Sequence, residues 1–431
     1  MIIERNYEMN NRKNIIRITS LMLIVIMMSL CLSSCGLKFG AAYDKMFGQN
    51  NNPQNGGGNN DEKEKEDENS DGSLSENIPG EGFGGYYPGS GEGSIESLSP
   101  SAKTLLSTVT IVAEFGSAAG AGSGVFYQVD KENGDAYIIT NHHVVCTSDY
   151  GVANKINVYL YGMELSGYAI PATLLGGSVT YDLAVLKIEG SETLKHSYAI
   201  PAPIADSDKV RVFDKVFAIG NAEGDGMSAT QGIISVESES LQLSGADGSL
   251  ISLRVMRFDA AVNHGNSGGG LYNENGELIG IVSAKDVSSD VDNMGYAIPS
   301  DLAKKLADNI IFYCDGANST QVRKALMGIT ITAYISGLEI DEESGEVYQV
   351  ELVEIIEVAE NTLAAGKVQV GDVVNFITVD SVKREVSRMH HVTDSMLDAR
   401  VGSTVVINIT RGEETIDISF TITEESVSPV K

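Results

Sequence analysis

Three short segments carry the side-chain types needed for acyl transfer. Thr140-Asn141-His142-His143-Val144-Val145 ends an apolar run with two imidazoles, and Tyr181-Asp182-Leu183-Ala184-Val185 sets a carboxylate at the head of another. Gly265-Asn266-Ser267-Gly268-Gly269-Gly270 sets a hydroxyl in a glycine-rich loop. Peptide hydrolysis by serine needs a hydroxyl nucleophile, an imidazole to take and return its proton, and a carboxylate to fix the imidazole's tautomer. By position alone either His142 or His143 serves as that imidazole. The glycines suit an oxyanion hole, which is built from backbone N–H groups turned inward at a tight loop where side chains would obstruct the scissile carbonyl.

These segments need a rigid frame, and the sequence around them reads as short strands between Gly, Asn and Asp turns. The runs are Thr108–Phe115, Ser123–Val129, Ala136–Thr140, Lys155–Tyr161, Leu183–Ile188, Val216–Gly220, Gly232–Val236 and Leu278–Val282. Asn133-Gly134 marks a hairpin between two of them. Such spacing without intervening helices predicts a mainly β barrel or sandwich. The order His, Asp, Ser on an all-β pattern is that of the chymotrypsin arrangement, not the subtilisin or α/β-hydrolase order. At Pro299-Ser300 the period changes: Leu302, Leu306, Ile310 and Ile311 share a helical face behind a Ser300 N-cap, and Gly316 closes the segment. A second unit, Gln321 to Glu425, mixes strands (Gly328–Tyr334, Val347–Ile356, Val373–Thr378, Thr404–Thr410, Thr415–Ile422) with a helix from His391 to Ala399.

Residues 107–425 resemble the Deg/HtrA family of serine proteases. The matching segments, in the family's order, are GSGVFYQV, AYIITNHHVV, SVTYDLAVLKI, VFAIGN, TQGIIS, FDAAVNHGNSGGGL, GELIGIVSA and GYAIPSDLA. The resemblance implies a chymotrypsin-like double β-barrel over 101–316 and an α+β PDZ domain over 321–425. It implies catalysis by His143, Asp182 and Ser267, with the N–H groups of Gly265 and Ser267 as oxyanion hole and no cofactor. The family pattern Thr-Asn-x-His-Val selects His143 over His142. The resemblance to chymotrypsin-like proteases implies that Ala261 is the S1 floor, with Ile281, Val282 and Ser283 on its wall, and this small neutral set predicts a small or medium aliphatic P1 side chain. Leu326-Met327-Gly328-Ile329 resembles the PDZ loop that catches a peptide's terminal carboxylate, so Met327, Gly328 and Ile329 are the expected peptide-binding residues. Two departures stand out. Gly270 replaces the family's usual proline and is expected to loosen the loop, and His264 adds a titratable ring beside the oxyanion hole.

The first third of the chain reads differently. Arg5, Arg12, Lys13 and Arg17 precede the uncharged run Leu21–Leu32, which has the form of an export signal. As a helix the run rises only about 18 Å, short of the roughly 30 Å of a bilayer's hydrocarbon. It ends in Leu32-Ser33-Ser34-Cys35, which resembles a bacterial lipobox, so residues 1–34 are expected to be removed and Cys35 lipidated outside the cytoplasm. An N-terminal signal anchor is the alternative. Residues 35–100 are expected to form a flexible tether, since its Asn, Gly, Ser and Glu content cannot bury enough apolar surface to offset chain entropy. About 50 such residues reach roughly 40 Å.

The chain has 431 residues and a formal net charge of -29. That charge opposes the counterion release that drives nucleic-acid binding and so excludes nucleic acid as a main partner. Residues 61–100 alone hold eleven Asp or Glu and two Lys. Four cysteines, two of them Cys31 and Cys35, exclude a disulfide scaffold and leave Cys146 and Cys314 as buried thiols or one bridge. No Cys/His cluster suggests zinc, and only the loop carboxylates Asp286, Asp290 and Asp292 offer a calcium alternative. The reading is a membrane-tethered extracytoplasmic serine endopeptidase of quality-control type, acting on misfolded or unfolded polypeptides. By the resemblance it is a homotrimer gated by loops 222–230 and 283–294 and by peptide ends at the PDZ groove. The alternative is an inert PDZ-bearing surface binder or chaperone.

Overall fold

The computed structural model describes residues 97–163, 168–245, 247–283, 294–315, 320–342, 345 and 347–430. The export signal, Cys35, the tether up to residue 96, Gly316 and the carboxylates Asp286, Asp290 and Asp292 lie outside the described residues, while Pro100 at the expected tether's end already belongs to a helix. Among those described, no helix is long and apolar enough to cross a membrane.

A helix, α1 (Pro100–Ser107), leads into the first closed barrel, β1 (Thr108–Phe115), β2 (Ala118–Asp130), β3 (Asp135–Thr140), β6 (Lys155–Leu160), β7 (Ile170–Ser178) and β8 (Leu183–Ile188), ordered β1-β2-β3-β8-β7-β6. Between β3 and β6 lie the one-turn helix α2 (His142–Val145) and a small strand pair, β4 (Cys146–Thr147) and β5 (Gly151–Val152). After a turn, α3 (Glu192–Lys195), the second barrel follows. It consists of β9 (Lys215–Gly220), β10 (Ser228–Ser244), β11 (Leu250–Phe258), β12 (Gly270–Tyr272), β13 (Leu278–Ser283) and β14 (Gly295–Pro299), ordered β10-β11-β14-β13-β12-β9.

The strands show little polar alternation because both of their faces are covered. Along β8, Ala184, Leu186 and Ile188 fill the interior of the first barrel, whereas Leu183 and Val185 face a seam between the barrels. Along β13, Ile279 and Val282 fill the second interior while Leu278 and Ile281 join the same seam. Successive strand residues point to opposite faces, so an unbroken apolar run fits an element with a core on each side. Tyr272 closes the seam, fully buried, its hydroxyl bonded to Thr108 Oγ1 at 2.8 Å and Ser107 Oγ at 3.1 Å.

Helix α4 (Ser300–Cys314) lays Leu302, Ala303, Leu306, Ala307 and Ile310 on the seam. Its N-cap is Pro299 rather than the expected Ser300; the Ser300 hydroxyl is already engaged, donating to Ala205 O at 2.8 Å. Cys146 and Cys314 are both free thiols.

The second unit begins with β15 (Val322–Ala325), which pairs with the last strand, β22 (Val427–Val430). Its sheet is ordered β16 (Ile329–Ile340), β17 (Val347–Val358), β18 (Val373–Val379), β20 (Thr404–Arg411), β21 (Glu414–Thr421), with β19 (Val382–Glu385) also on β18. The β16–β17 hairpin is paired out to Ile340 and Val347. Helix α5 spans Met389–Ser395, starting and ending earlier than its periodicity suggests, because Glu351 accepts the Met389 N–H at 2.8 Å and anchors the first turn. The two units share apolar contacts: Val322 and Leu397 are buried in the seam cluster of the barrels. Asn309 in α4 donates to Arg323 O at 2.7 Å and Leu397 O at 2.9 Å, fixing that junction.

Candidate active site

The site lies where the two barrels meet. Thr140 ends β3 and α2 follows at once, so His142 and His143 leave the strand in one helical turn and their rings diverge. The His142 ring packs against the β7 backbone, where a Cβ on Gly177 would come within 2.8 Å of it. The His143 ring turns the other way, with Nδ1 2.8 Å from Asp182 Oδ2 and 3.0 Å from Oδ1. Of the two adjacent imidazoles, then, only His143 is brought onto Asp182.

Asp182 is 1% exposed and has φ 48, a left-handed conformation that aspartate tolerates better than most residues. The turn aims its carboxylate at α2, where Oδ1 accepts the His143 N–H at 3.1 Å. Its carbonyl accepts the His142 N–H at 3.1 Å and Asn141 Nδ2 at 3.0 Å. From the second barrel, the buried Ser283 hydroxyl donates to Asp182 Oδ2 at 3.4 Å. Main-chain and side-chain donors thus fix the carboxylate that fixes the ring, leaving His143 Nε2 as the nitrogen available for proton transfer.

Ser267 sits in a loop that only its glycines permit. Gly265 has φ 96 and Gly268 φ 85, and a Cβ on either would come within 2.1 Å of a carbonyl oxygen, Asn221 O or Ser123 O. Among the described residues the Gly265 N–H donates to no protein acceptor, while its carbonyl is held by Ser123 Oγ at 2.7 Å. Gly270 does not loosen the loop as expected: it lies in β12, buried, where a Cβ would strike the Tyr272 ring at 2.3 Å. The missing side chain makes room for the tyrosine that closes the seam. His264 is exposed, and its carbonyl accepts the Glu223 N–H at 2.7 Å, tying the nucleophile loop to residues 222–224.

Ser123 lies in the GSGVFYQV segment, where its type and spacing point to no role of its own. It is fully buried and ties the nucleophile loop to Asn221 and to Thr140, at the end of the strand that leads to the histidines. Its N–H donates to Ser267 O at 2.8 Å, its hydroxyl donates to Gly265 O and accepts the Asn221 N–H at 2.9 Å, and its carbonyl accepts Thr140 Oγ1 at 2.7 Å. The only sequence signal was a serine between two glycines, Gly122 and Gly124.

The side chains of the four S1 candidates have different surroundings. Ala261 is exposed, Ile281 is buried in the seam, Val282 in the second barrel's interior, and Ser283 faces Asp182. In the second unit, Met327 is buried, Gly328 has φ 87 and Ile329 opens β16, an edge strand of its sheet. Tyr181, next to Asp182, accepts from Lys324 Nζ at 3.3 Å; burial and then the Asp394 charge push its phenol far above the ordinary range.

Residues 122–281 match the model of the trypsin-like peptidase domain. Over 214 residues the chain is 37% identical to the serine protease Do-like HtrA of Bacillus subtilis, covering 49% of this chain and 42% of that one. Over 305 residues it is 29% identical to the periplasmic pH-dependent serine endoprotease DegQ of Escherichia coli, covering 70% and 59%. The chain carries a trypsin-like peptidase domain, and over it the chain is similar to serine proteases of the Deg/HtrA type. It spans less than two thirds of the length of these two curated relatives. A solved structure described as HtrA-type protease AlgW with tripeptide superimposes with a TM-score of 0.51 at 26% identity, covering 77% of this chain and 97% of that one. The Deg/HtrA match and the two barrels agree on a chymotrypsin-like architecture for the first unit.

Proposed function

We propose that the chain is a serine endopeptidase that cleaves unfolded polypeptides outside the cytoplasm. The observation that carries this reading is the His143–Asp182 pair of one barrel, braced by Ser283 and joined through Ser123 to the Gly265–Ser267–Gly268 loop of the other. His143 Nε2 takes the Ser267 proton as Oγ attacks the scissile carbonyl. The Gly265 and Ser267 N–H groups hold the resulting oxyanion, and His143 returns the proton to the leaving amine. A water activated by the same ring then releases the acyl group. Throughout, Asp182 keeps the proton on Nδ1 and offsets the imidazolium charge.

Cys35 lipidation and the acidic tether hold the folded units outside a membrane. A PDZ groove between edge strand β16 and α5, with Met327, Gly328 and Ile329 at its carboxylate end, takes extended chain ends as an added strand and links their binding to activity. A trimer of such chains follows from the Deg/HtrA resemblance. With the other S1 candidates in the core or on Asp182, the preference for small aliphatic P1 residues rests on Ala261 alone.

The test is labelling by a fluorophosphonate probe together with casein hydrolysis. Both are expected in the natural chain and absent in Ser267→Ala. An unlabelled Ser267 in the folded natural chain would exclude the peptidase reading. Cleavage sites mapped by mass spectrometry that cluster after Lys or Arg would exclude the P1 assignment.

A further inference from the structure

A second histidine–carboxylate cluster lies away from the active site, at the junction of the two units. His390 and His391 stand in the first turn of α5, and Asp208 stands in a short 3₁₀ turn, Ser207–Lys209, of the protease domain. His390 Nε2 is 3.4 Å from Asp208 Oδ1, and His391 Nε2 is 3.4 Å from Asp208 Oδ2. The three ligand atoms lie within 4.8 Å of one another. We infer that His390, His391 and Asp208 form a binding site for a divalent transition-metal ion of the zinc type, clamping the second unit to the protease domain.

Three observations support it. First, a separation of 3.4 Å is long for an N–H···O bond, whose usual length is about 2.9–3.0 Å. It matches the edge of a tetrahedron whose bonds are about 2.0–2.1 Å, the zinc–nitrogen and zinc–carboxylate lengths. Second, neighbouring residues on a helix point about 100° apart and do not ordinarily converge, yet these rings meet at 4.6 Å with both Nε2 atoms turned to one carboxylate. Third, the outer partners are those a metal ligand requires. His391 Nδ1 lies 3.0 Å from Glu385 O and 3.3 Å from the Ser387 N–H; the shorter contact, to an oxygen that can only accept, favours the proton on Nδ1, which leaves Nε2 its lone pair. Arg384 contacts Asp208 Oδ2, as an outer hydrogen bond to a ligating carboxylate does.

Burial favours the neutral rings that bind metal. Arg254, Arg384 and Arg388 bring positive charge to the cluster, while Asp394 and Asp206 bring negative charge, so a divalent ion does not meet a purely cationic wall. Two imidazoles and one carboxylate leave a fourth position for water. This donor set suits zinc, nickel or copper better than calcium or magnesium, which prefer oxygen ligands. The site does not depend on the proteolytic reading.

The test uses the untagged full chain carrying Ser267→Ala, which prevents self-digestion, after chelator treatment. Titration with Co²⁺ is expected to give visible ligand-field absorption, and calorimetry with Zn²⁺ to show binding near one equivalent. Saturating Zn²⁺ should raise the unfolding midpoint by at least about 3 °C. His391→Ala should weaken binding at least about 30-fold, within the range for a lost metal partner. Asp208→Asn, on a partly exposed turn and so tolerant of change, should do the same. His196→Ala, an exposed histidine elsewhere, should not. Melting in chelator separates loss of metal from loss of fold. No Co²⁺ spectrum and no Zn²⁺ heat up to about 100 μM, well above the dissociation constant expected of three such ligands, would overturn the site. So would binding unchanged in both His391→Ala and Asp208→Asn.

Discussion

The protein contains two buried histidine–carboxylate clusters built from the same residue types and suited to opposite chemistry. At His143, the ring is half-buried and Asp182 is its near neighbour, with hydrogen-bond donors at His143 N and Ser283 Oγ holding the carboxylate in place. Nδ1 is held on the carboxylate, and Nε2 is the ring nitrogen turned away from it. At the junction, His390 and His391 are more deeply buried and stand beside Arg254 and Arg384 as well as carboxylates. Burial first, then the Arg384 guanidinium, pulls His391 down to about 4, and burial with Arg254 pulls His390 down to about 2. Asp394 shows the reverse balance: burial alone would raise it, but Arg254 at 2.5 Å and then His390, Lys324 and Arg384 hold it below the usual carboxylate range. A histidine beside an aspartate is a proton shuttle or a locked neutral ring according to what else is buried with it.

The sharpest way to break this comparison is at Asp182. Asp182→Asn leaves the shape of the site and reverses the tautomer it enforces, so kcat is expected to fall about 10⁴-fold with KM little changed. A fall below tenfold in a steady-state peptide assay would mean that Asp182 does not orient His143.

The next largest effect is expected at the junction. Asp394→Ala leaves Arg254, only 16% exposed at its side chain, without its closest carboxylate, at a cost of about 3 kcal/mol in unfolding free energy. Denaturant unfolding measures it. A loss under about 0.5 kcal/mol would show the pair to be no stronger than a solvated surface ion pair.

Acid should separate the two clusters further. The junction histidines have folded values below their unfolded value of about 6.5, so the unfolded chain takes up protons that the folded chain refuses. In the metal-free chain His390 loses its contribution as pH falls from about 6.5 towards 2, while that of His391 is fully present above about 6.5 and is lost towards 4, by on the order of 2–3 kcal/mol. The His391 window lies above the range where Asp394, with its lowered value, becomes protonated. His391→Gln is expected to flatten the slope of stability against pH between 6.5 and 4; an unchanged slope would assign the acid sensitivity elsewhere.

The smallest effect is expected at Ser283. Its 3.4 Å bond to Asp182 is long and one of several to that carboxylate, so Ser283→Ala should lower kcat by roughly three- to tenfold, about 1 kcal/mol. A change in P1 preference without a change in kcat would instead return Ser283 to the pocket wall.

How much of this was legible beforehand depended on distance along the chain. Thr108–Phe115 and Leu183–Ile188 were read to the residue because dense β-branched and aliphatic runs between turn residues are local signals. The barrel strands β7, β11, β12 and β14 carry no such local signal; they contain glycines or charged residues, and their pairing rather than their composition makes them strands. The side chains of Ile281, Val282 and Ser283, which resemblance groups on one pocket wall, take different surroundings for a related reason. Three successive strand residues point to alternating faces, and which face meets the seam, the barrel interior or Asp182 is set by β13's neighbours. Gly270 was read as looseness because its partner, the Tyr272 ring, is on the same strand but fixed by Ser107 and Thr108 from the start of the domain.

The sequence by itself determined the chemistry of the first site: the residue types, the glycines that only one kind of loop needs, and an order matching a chymotrypsin-like frame. Tertiary structure decided between His142 and His143 in space, turned Ser283 onto Asp182, and revealed Ser123 as the joint between the barrels. It alone placed Asp208 against His390 and His391, residues about 180 positions apart whose separate motifs carry no metal-binding spacing. A motif works at short range, through the backbone geometry of a few residues. A cluster assembled across a domain junction exists only once the apolar seam that holds Leu397 and Val322 has brought the two surfaces together.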